Sequence, residues 1–517
     1  MGVNIPELEY TPVNEVSQRV GKVRAAFHEH KTRSVEFRLV QLRKLYWAIK
    51  DREAEIAEAC SRDLGKPLFE AHLADIGWVE NDIVFVTRNL EKWVKDEKAP
   101  DIDLTNSFVS PKIRKDPLGC VLVIGAFNFP FQLTLGPLIG AIAGGNTVVI
   151  KPSEAASNSA VVLQQIIESS LDPSCYTVVQ GGVPESQALL AEHWDKIFFT
   201  GSANVGRIVA KAAAPNLTPV TLELGGRNPA IITKRADPRL AARRLLWGKI
   251  LNAGQVCISQ NYILVDKDVL PTLVSEFEKA YKEYYPKGAK ASPDFARIIN
   301  DSSFNRLKNM LDNTKGKILM GGTMDEKERF IEPTVVQVDS VDDSLIAEES
   351  FGPFIPIMPV DNLDEAIKIA NQVHSTPLGV YAFGSKEETD KILASTRSGG
   401  ASVNDSFFHG SIPTLAFGGV GDSGSGSYRG RASFDAFVHR RSVTTTPGWL
   451  EKMLAIRYPP YAGKLSKFQA ASALRPNFDR NGRKTGGGLF GWITWFVTIG
   501  GGANKGGAAR TAAVIVG

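Results

Sequence analysis

Between Cys120 and Gly226 the chain repeats one pattern. Short apolar runs, CVLVIGAF, NTVVIKP, CYTVVQGG, DKIFFTG and VTLELGG, are separated by segments with helical spacing such as SAVVLQQIIESS and VGRIVAKAAA. The runs are rich in β-branched and aromatic residues and do not alternate with polar ones. Strands apolar on both faces must be covered on both faces, which a parallel sheet flanked by crossover helices achieves. The stretch therefore predicts a doubly wound, Rossmann-like sheet. A second α/β series is predicted from about residue 225 to 430, with a strand at YILVD, a helix near 361–373, a strand at GVYAFGS and a helix near 386–397.

Residues 14–98 read as helices, with Val35, Leu39, Leu42, Tyr46 and Ile49 at helical spacing among many charges. The polar stretch DIDLTNSFVSPKIRKDP (101–117) reads as an edge hairpin, and RRSVTTTP (440–447) as a strand that pairs with it or with another subunit.

Four cysteines (Cys60, Cys120, Cys175, Cys257) without a C-x-x-C pair do not make a disulfide framework and suggest a reducing compartment. The polar N-terminus carries no sign of a secretory signal. Scattered histidines and no H-E-x-x-H give no metal site. A net charge of +4 over the chain is too small for a nucleic-acid partner. That average hides a split: from Trp449 onward there are ten basic and two acidic residues, a tail of +8 behind a body of −4.

Several positions invite chemistry. FFTGSANVG (198–206) ends a strand, turns at Gly201 and opens a helix at Ser202, which aims free backbone N–H groups at any anion there; the bland alternative is a tight turn. Cys257 lies in the small-residue turn NAGQVCIS, where an exposed thiol can be tuned toward thiolate, whereas Cys60, Cys120 and Cys175 read as apolar filler. Glu223 interrupts an apolar strand just before two glycines, so desolvation would raise its pKa toward a general base unless it is a solvent-facing edge residue. Asn128 ends the first strand of the sheet, where a ligand crevice is expected, and its amide can donate two hydrogen bonds to an oxyanion; otherwise it is a turn-former beside Pro130.

GAFNFP, NTVVIKPSE, FFTGSANVG, TLELGG, NAGQVC, EESFGP and FGGVGDSGSG occur in the order found in the aldehyde dehydrogenase superfamily, and the chain resembles that family over roughly residues 15–460. LTPVTLELGGRNP, FGGVG and RYPPY are most similar to its class 3 branch, which includes fatty aldehyde and apocarotenal dehydrogenases. The resemblance implies the aldehyde dehydrogenase fold: an NAD(P)-binding domain over 1–100 and 118–224, a catalytic domain over 225–430, an oligomerisation β element over 101–117 and 431–448, and a basic tail over 449–517. It implies that Cys257 attacks the aldehyde, that Asn128 and the Cys257 N–H hold the oxyanion, and that Glu223 activates water against the thioester. It assigns the cofactor to Lys151, Glu154, Gly201, Ser202, Gly206, Leu224, Glu349 and Phe351. NAD is expected with NADP possible, because Glu154 repels a 2′-phosphate that Lys151 could tolerate. Gln260, Asn261, Ala416, Asp422 and Ser425 depart from the class 3 pattern and bring the shape of the aldehyde entrance into question.

The apolar run LFGWITWFVTIG (489–500) spans about 18 Å as a helix, short of the roughly 30 Å hydrocarbon core, so it reads as an interfacial anchor preceded by Arg480, Arg483 and Lys484. The alternative is a segment packed on the protein or its dimer partner. The expectation is a homodimer on the cytoplasmic face of an intracellular membrane, peripheral or tail-anchored, which oxidises hydrophobic aldehydes. Long aliphatic and polyene aldehydes both fit; a narrower alternative is an apocarotenal dehydrogenase of carotenoid acid synthesis. Two further alternatives are a Cys-dependent thioester hydrolase and a structural protein on the same fold, and retention of Cys257 and Glu223 speaks against the latter.

Overall fold

The structure, a computed structural model, describes residues 3–102, 104–472 and 476–484. They fall into two compact units, Met1–Lys95 with Arg114–Arg441, and Asp96–Ile113 with Ser442–Gly517.

In the first unit a six-stranded sheet has the order Gly424–Ser425, Val220–Glu223, Lys196–Thr200, Cys120–Ile124, Thr147–Lys151, Tyr176–Val178. Its five longer strands are parallel. The order reverses between Cys120–Ile124 and Lys196–Thr200, so the carboxyl ends of these two strands frame a crevice. The absence of alternation now has its reason. Val121, Val123, Val148 and Ile150 pack with Leu39, Leu42, Ile56, Val79 and Val86 of the N-terminal helices. Cys120, Leu122, Val149 and Phe199 pack on the other face with Val16, Val20, Val23 and Val209. Each fully buried aliphatic side chain contributes about 1.5–3 kcal/mol, so both faces favour a sheet covered by helices.

A seven-stranded sheet follows in the same unit, ordered Lys317–Met320, Thr334–Gln337, Phe354–Val360, Tyr262–Asp266, Pro229–Ile232, Gly379–Phe383, Gly400–Val403. It is parallel except for the antiparallel edge strand Lys317–Met320. The expected helices are found at Leu363–Val373 and Lys386–Ser395.

Three differences from expectation have physical causes. The chain returns to the first sheet after completing the second, pairing Gly424 with Glu223 and Ser425 with Leu222 in antiparallel register, so 225–430 is not confined to one sheet. A Gly-rich strand has no side chains to bury and leaves no hydrophobic pattern. The stretch 101–117 is not a hairpin in itself: it contains the short helix Leu104–Ser107 and the strand Lys112–Pro117. In the second unit, Lys112 and Ile113 pair with Lys98 and Glu97, upstream of the expected turn. The Asn106 and Ser107 carbonyls accept from the Val109 and Ser110 N–H groups in local turns. The late strand spans Val438–Val443 and shares a sheet with Lys112–Pro117; within the first unit, Arg441 Nε lies 3.1 Å from Asp116.

Among the described residues no helix is long and apolar enough to cross a membrane. The run 489–500 lies outside the described residues.

Candidate active site

A cleft of about 740 Å³ opens at the sheet's topological switch, and Asn128, Lys151, Glu154, Gly201, Ser202, Glu223, Leu224, Cys257, Glu349 and Phe351 all line it. A separate cavity of about 110 Å³ is walled by Leu73, Trp78, Phe129, Phe408, Phe417 and Tyr428. Cys257 lines both.

Of the predicted cofactor residues, Gly206 alone is absent from the cleft wall. A Cβ there would lie 2.7 Å from Leu224 Cδ2, so Gly206 lets the helix Ala203–Ala213 close on the strand behind it. Ser202 caps that helix, its hydroxyl accepting from the Val205 N–H at 3.4 Å. Val205 and Ile208 stand exposed beside it and line the cleft; on the sequence they read as part of an ordinary helix. Lys151 is buried, and its Nζ donates to Glu154 Oε2 at 2.8 Å and to the Pro152 carbonyl at 3.0 Å.

These features suit a dinucleotide. The helix N-terminus can meet a pyrophosphate. At Gly225 a Cβ would fall 2.2 Å from Glu349 Oε2, so the Glu349 carboxylate can lie against the backbone there only because the residue is glycine. Phe127 and Phe351 meet edge to face at 5.9 Å along the same wall. Burial raises the Glu349 carboxyl to about 7 against the Gly226 N–H, Lys249 and Arg306. Burial also pulls Lys249 down to about 7, opposed by Glu349. Lys249 and Arg306 gave no local signal in the sequence.

Around the thiol, Asn252, Ala253 and Gly254 all have positive φ, at 52°, 52° and 75°. Glycine is required at 254, because a Cβ would sit 2.3 Å from the Gly352 carbonyl oxygen, and the strain of a positive φ falls on Asn252 and Ala253. The kink is held from several sides. Glu70 accepts the Asn252 N–H at 2.8 Å, and the Asn252 amide donates to the carbonyls of Asn128 and Gln255. Lys66 Nζ donates to the Asn128 carbonyl at 3.0 Å and to Asp75 at 2.7 Å. Asn128 Nδ2 gives one proton to the Gln255 carbonyl at 3.0 Å, so it has one proton for an oxyanion rather than the expected two.

Both side chains of the Lys66–Asp75 pair are wholly buried. Burial is the largest influence and disfavours the ammonium, but Asp75, Cys60 and Glu70 together outweigh it and the Lys66 pKa rises. Asp75→Asn is expected to cost about 3 kcal/mol in denaturant unfolding, because it leaves a buried cation without its counter-charge. A Lys66→Met/Asp75→Leu double variant should lose less; an equal or larger loss would show that the charge is not what matters.

The electrostatics of Cys257 differ from the exposed, thiolate-tuned loop cysteine predicted from sequence. It is half-buried, while the other three cysteines are fully buried. Burial, then Glu349 and Glu223, push its thiol up to about 12, opposed by the Ile258 and Cys257 backbone N–H groups. A raised acid pKa means the protonated form at neutral pH, with a thiolate fraction on the order of 10⁻⁵ at pH 7. Alkylation of Cys257 by iodoacetamide in the cofactor-free protein should therefore rise about tenfold per pH unit from 7 to 10; a plateau above pH 8 would contradict it. Glu223 is 3% exposed, and neither carboxylate oxygen has a hydrogen-bond partner among the described residues. Desolvation holds its pKa well above the usual carboxylate range. The solvent-facing alternative fails because Gly424–Ser425 covers that edge of the strand.

None of the five departures from the class 3 pattern lines the apolar cavity. Gln260 and Asn261 are buried: Gln260 donates to the Leu245 carbonyl at 2.6 Å, and Asn261 accepts from the Ser350 N–H at 2.9 Å. Asn261 thus steadies the segment that carries Glu349.

Residues 2–443 match the aldehyde dehydrogenase family. The beta-apo-4'-carotenal oxygenase of Neurospora crassa is 52% identical over all of this chain and 97% of its own length. The dimeric, NADP-preferring aldehyde dehydrogenase of Rattus norvegicus is 41% identical over 88% of this chain and 100% of its own. The substrate-bound structure of Staphylococcus aureus AldH superposes with a TM-score of 0.86 at 40% identity, covering 89% of this chain and 99% of that one.

Proposed function

We propose that this chain, which belongs to the aldehyde dehydrogenase family and is an NAD(P)-dependent oxidoreductase acting on aldehydes, oxidises long apolar aldehydes, polyene aldehydes among them, through a thioester on Cys257. The observation that carries this reading is that Cys257 lines both a cleft of dinucleotide character and a second, apolar cavity. Similarity to a carotenal oxygenase along the whole chain supports the polyene class.

In this reading Lys151, Glu154, Gly201, Ser202, Leu224, Glu349 and Phe351 hold the dinucleotide, with Gly206 acting through helix packing. Glu154, already paired with Lys151, favours NAD over NADP by repelling a 2′-phosphate. When bound, the oxidised nicotinamide supplies the hydride acceptor and a positive charge that favours the Cys257 thiolate. Cys257 gives its proton to solvent, and Sγ forms a bond to the aldehyde carbon. The carbonyl oxygen becomes an oxyanion, held by Asn128 Nδ2 and the Cys257 N–H. Re-forming the C=O expels hydride and leaves a thioester. Glu223 as carboxylate takes a proton from water, whose oxygen bonds to the acyl carbon; the C–S bond breaks and the acid leaves. Desolvation without a partner is what equips Glu223 as a base, so hydrolysis should gain rate as pH rises through its raised pKa.

An NADH-release screen with short, long-chain and polyene aldehydes in detergent tests the reading. Higher kcat/KM for dodecanal or a polyene aldehyde than for propanal is expected, and preference for propanal would sink it.

The tail and the assembly belong to the same proposal. The basic residues before 489–500 suit an anionic membrane surface, and a chain ending at Lys484 should keep activity on propanal but leave the membrane pellet; retention in the pellet would refute the anchor. The name of the dimeric relative and the exposed strand Val438–Val443 support a homodimer.

A further inference from the structure

Among the described residues lining the apolar cavity Arg429 is the one that is charged, and its side chain is only 4% exposed. An isolated cation in such a wall is costly, so its contacts ask for a reason. The guanidinium carbon lies 3.6 Å from the centroid of the Trp78 ring. Its two terminal nitrogens donate to the carbonyls of Gly410 and Ser411, the second at 3.0 Å. Asp82 Oδ1 is 3.7 Å away, on the helix Gly77–Trp93 that also carries Trp78. The Arg429 backbone adopts φ 82°, and its N–H donates to Ser433 Oγ at 2.7 Å.

One planar group thus ties together three pieces of the cavity wall: Trp78, the turn Phe408–Ser411 with Phe408 and Ser411, and Tyr428 beside Arg429 itself. A guanidinium is suited to this because one plane can stack on an indole while its edge satisfies two carbonyls. An ammonium would offer a point charge without the fork. The charges that act most on Cys257 are those of Glu349 and Glu223, so Arg429 bears on the cavity's shape more than on the thiol.

We propose that Arg429 is a specificity-determining positioning residue, a strut that sets the width of the aldehyde cavity and so selects chain length. The proposal rests on the reading of this cavity as the aldehyde site. The cavity is walled mostly by aromatic and aliphatic side chains, and a long chain draws its affinity from close apolar contact along such walls. A short aldehyde, held by Cys257 and Asn128, uses little of that wall.

The test compares kcat and KM for propanal and dodecanal in the full-length wild type, Arg429→Lys and Asp82→Asn, with KM for NAD as a control. Arg429→Lys should raise KM for dodecanal about tenfold, with propanal and NAD values within about twofold of wild type. Asp82→Asn, which does not line the cavity, should shift dodecanal in the same direction by less, and it decides the matter if Arg429→Lys does not fold. Equal losses on both aldehydes would assign Arg429 a general structural role and overturn the proposal, as would unchanged values in either soluble variant. Wild type without activity on dodecanal would instead overturn the reading of the cavity.

Discussion

Cys257→Ser is expected to lower aldehyde oxidation by at least about 10⁴-fold while leaving NAD binding and thermal unfolding nearly unchanged. Serine keeps the volume of the side chain and can meet the same Ile258 and Cys257 backbone groups that bear on the thiol. What it lacks is the thiol's nucleophilicity, since a hydroxyl beside Glu223 and Glu349 in this desolvated position has no strong base to ionise it. Dissociation constants for NAD, measured by fluorescence titration, separate lost chemistry from a collapsed cleft. A serine variant with more than about one-tenth of wild-type turnover would remove Cys257 from the centre of the mechanism.

Glu223→Gln should cut steady-state turnover by about 10²–10⁴-fold but should still release a first burst of NADH, close to one per site. Glutamine is nearly isosteric, and the unpartnered carboxylate oxygens it replaces leave no hydrogen bond to break. Hydride departure needs the thiol and the oxyanion donors, whereas hydrolysis needs a base, so the acyl-enzyme should accumulate and be visible by intact-protein mass spectrometry. Glu349 also lines the cleft, with a carboxyl near 7. If Glu349 were the base, Glu223→Gln would turn over fully and Glu349→Gln would accumulate the acyl-enzyme.

Much of the site was legible because its residues break local rules. Glu223 in an apolar strand and Cys257 in a small-residue turn each contradict their surroundings. Ser202 was marked by the strand-to-helix turn it closes, whereas Lys151 and Glu349 became readable through motif order, since nothing in their immediate neighbours sets them apart. Residues that act through space left no such mark. Lys66, Asp75 and Glu70 lie nearly two hundred residues before the kink they support, and on the sequence they are charges in an ordinary helical stretch. Trp78 and Arg429, 351 positions apart, carry no mark of one another in the sequence, yet they stack inside one cavity.

Sequence alone determined the first parallel sheet and the α/β character of the second, because strands buried on both faces must be written as unbroken apolar runs, and it marked Cys257 and Glu223 by their misfit. Tertiary structure decided what those groups experience. Burial and two nearby carboxylates turned a supposed thiolate into a thiol near 12, and a glycine strand from residue 424 returned to seal Glu223 from solvent. It also decided the shape of the apolar cavity beside Cys257. Local pattern records which face of a strand or helix is apolar; the desolvation of a charge and the width of a pocket depend on distant segments, and those are fixed only when the chain closes on itself.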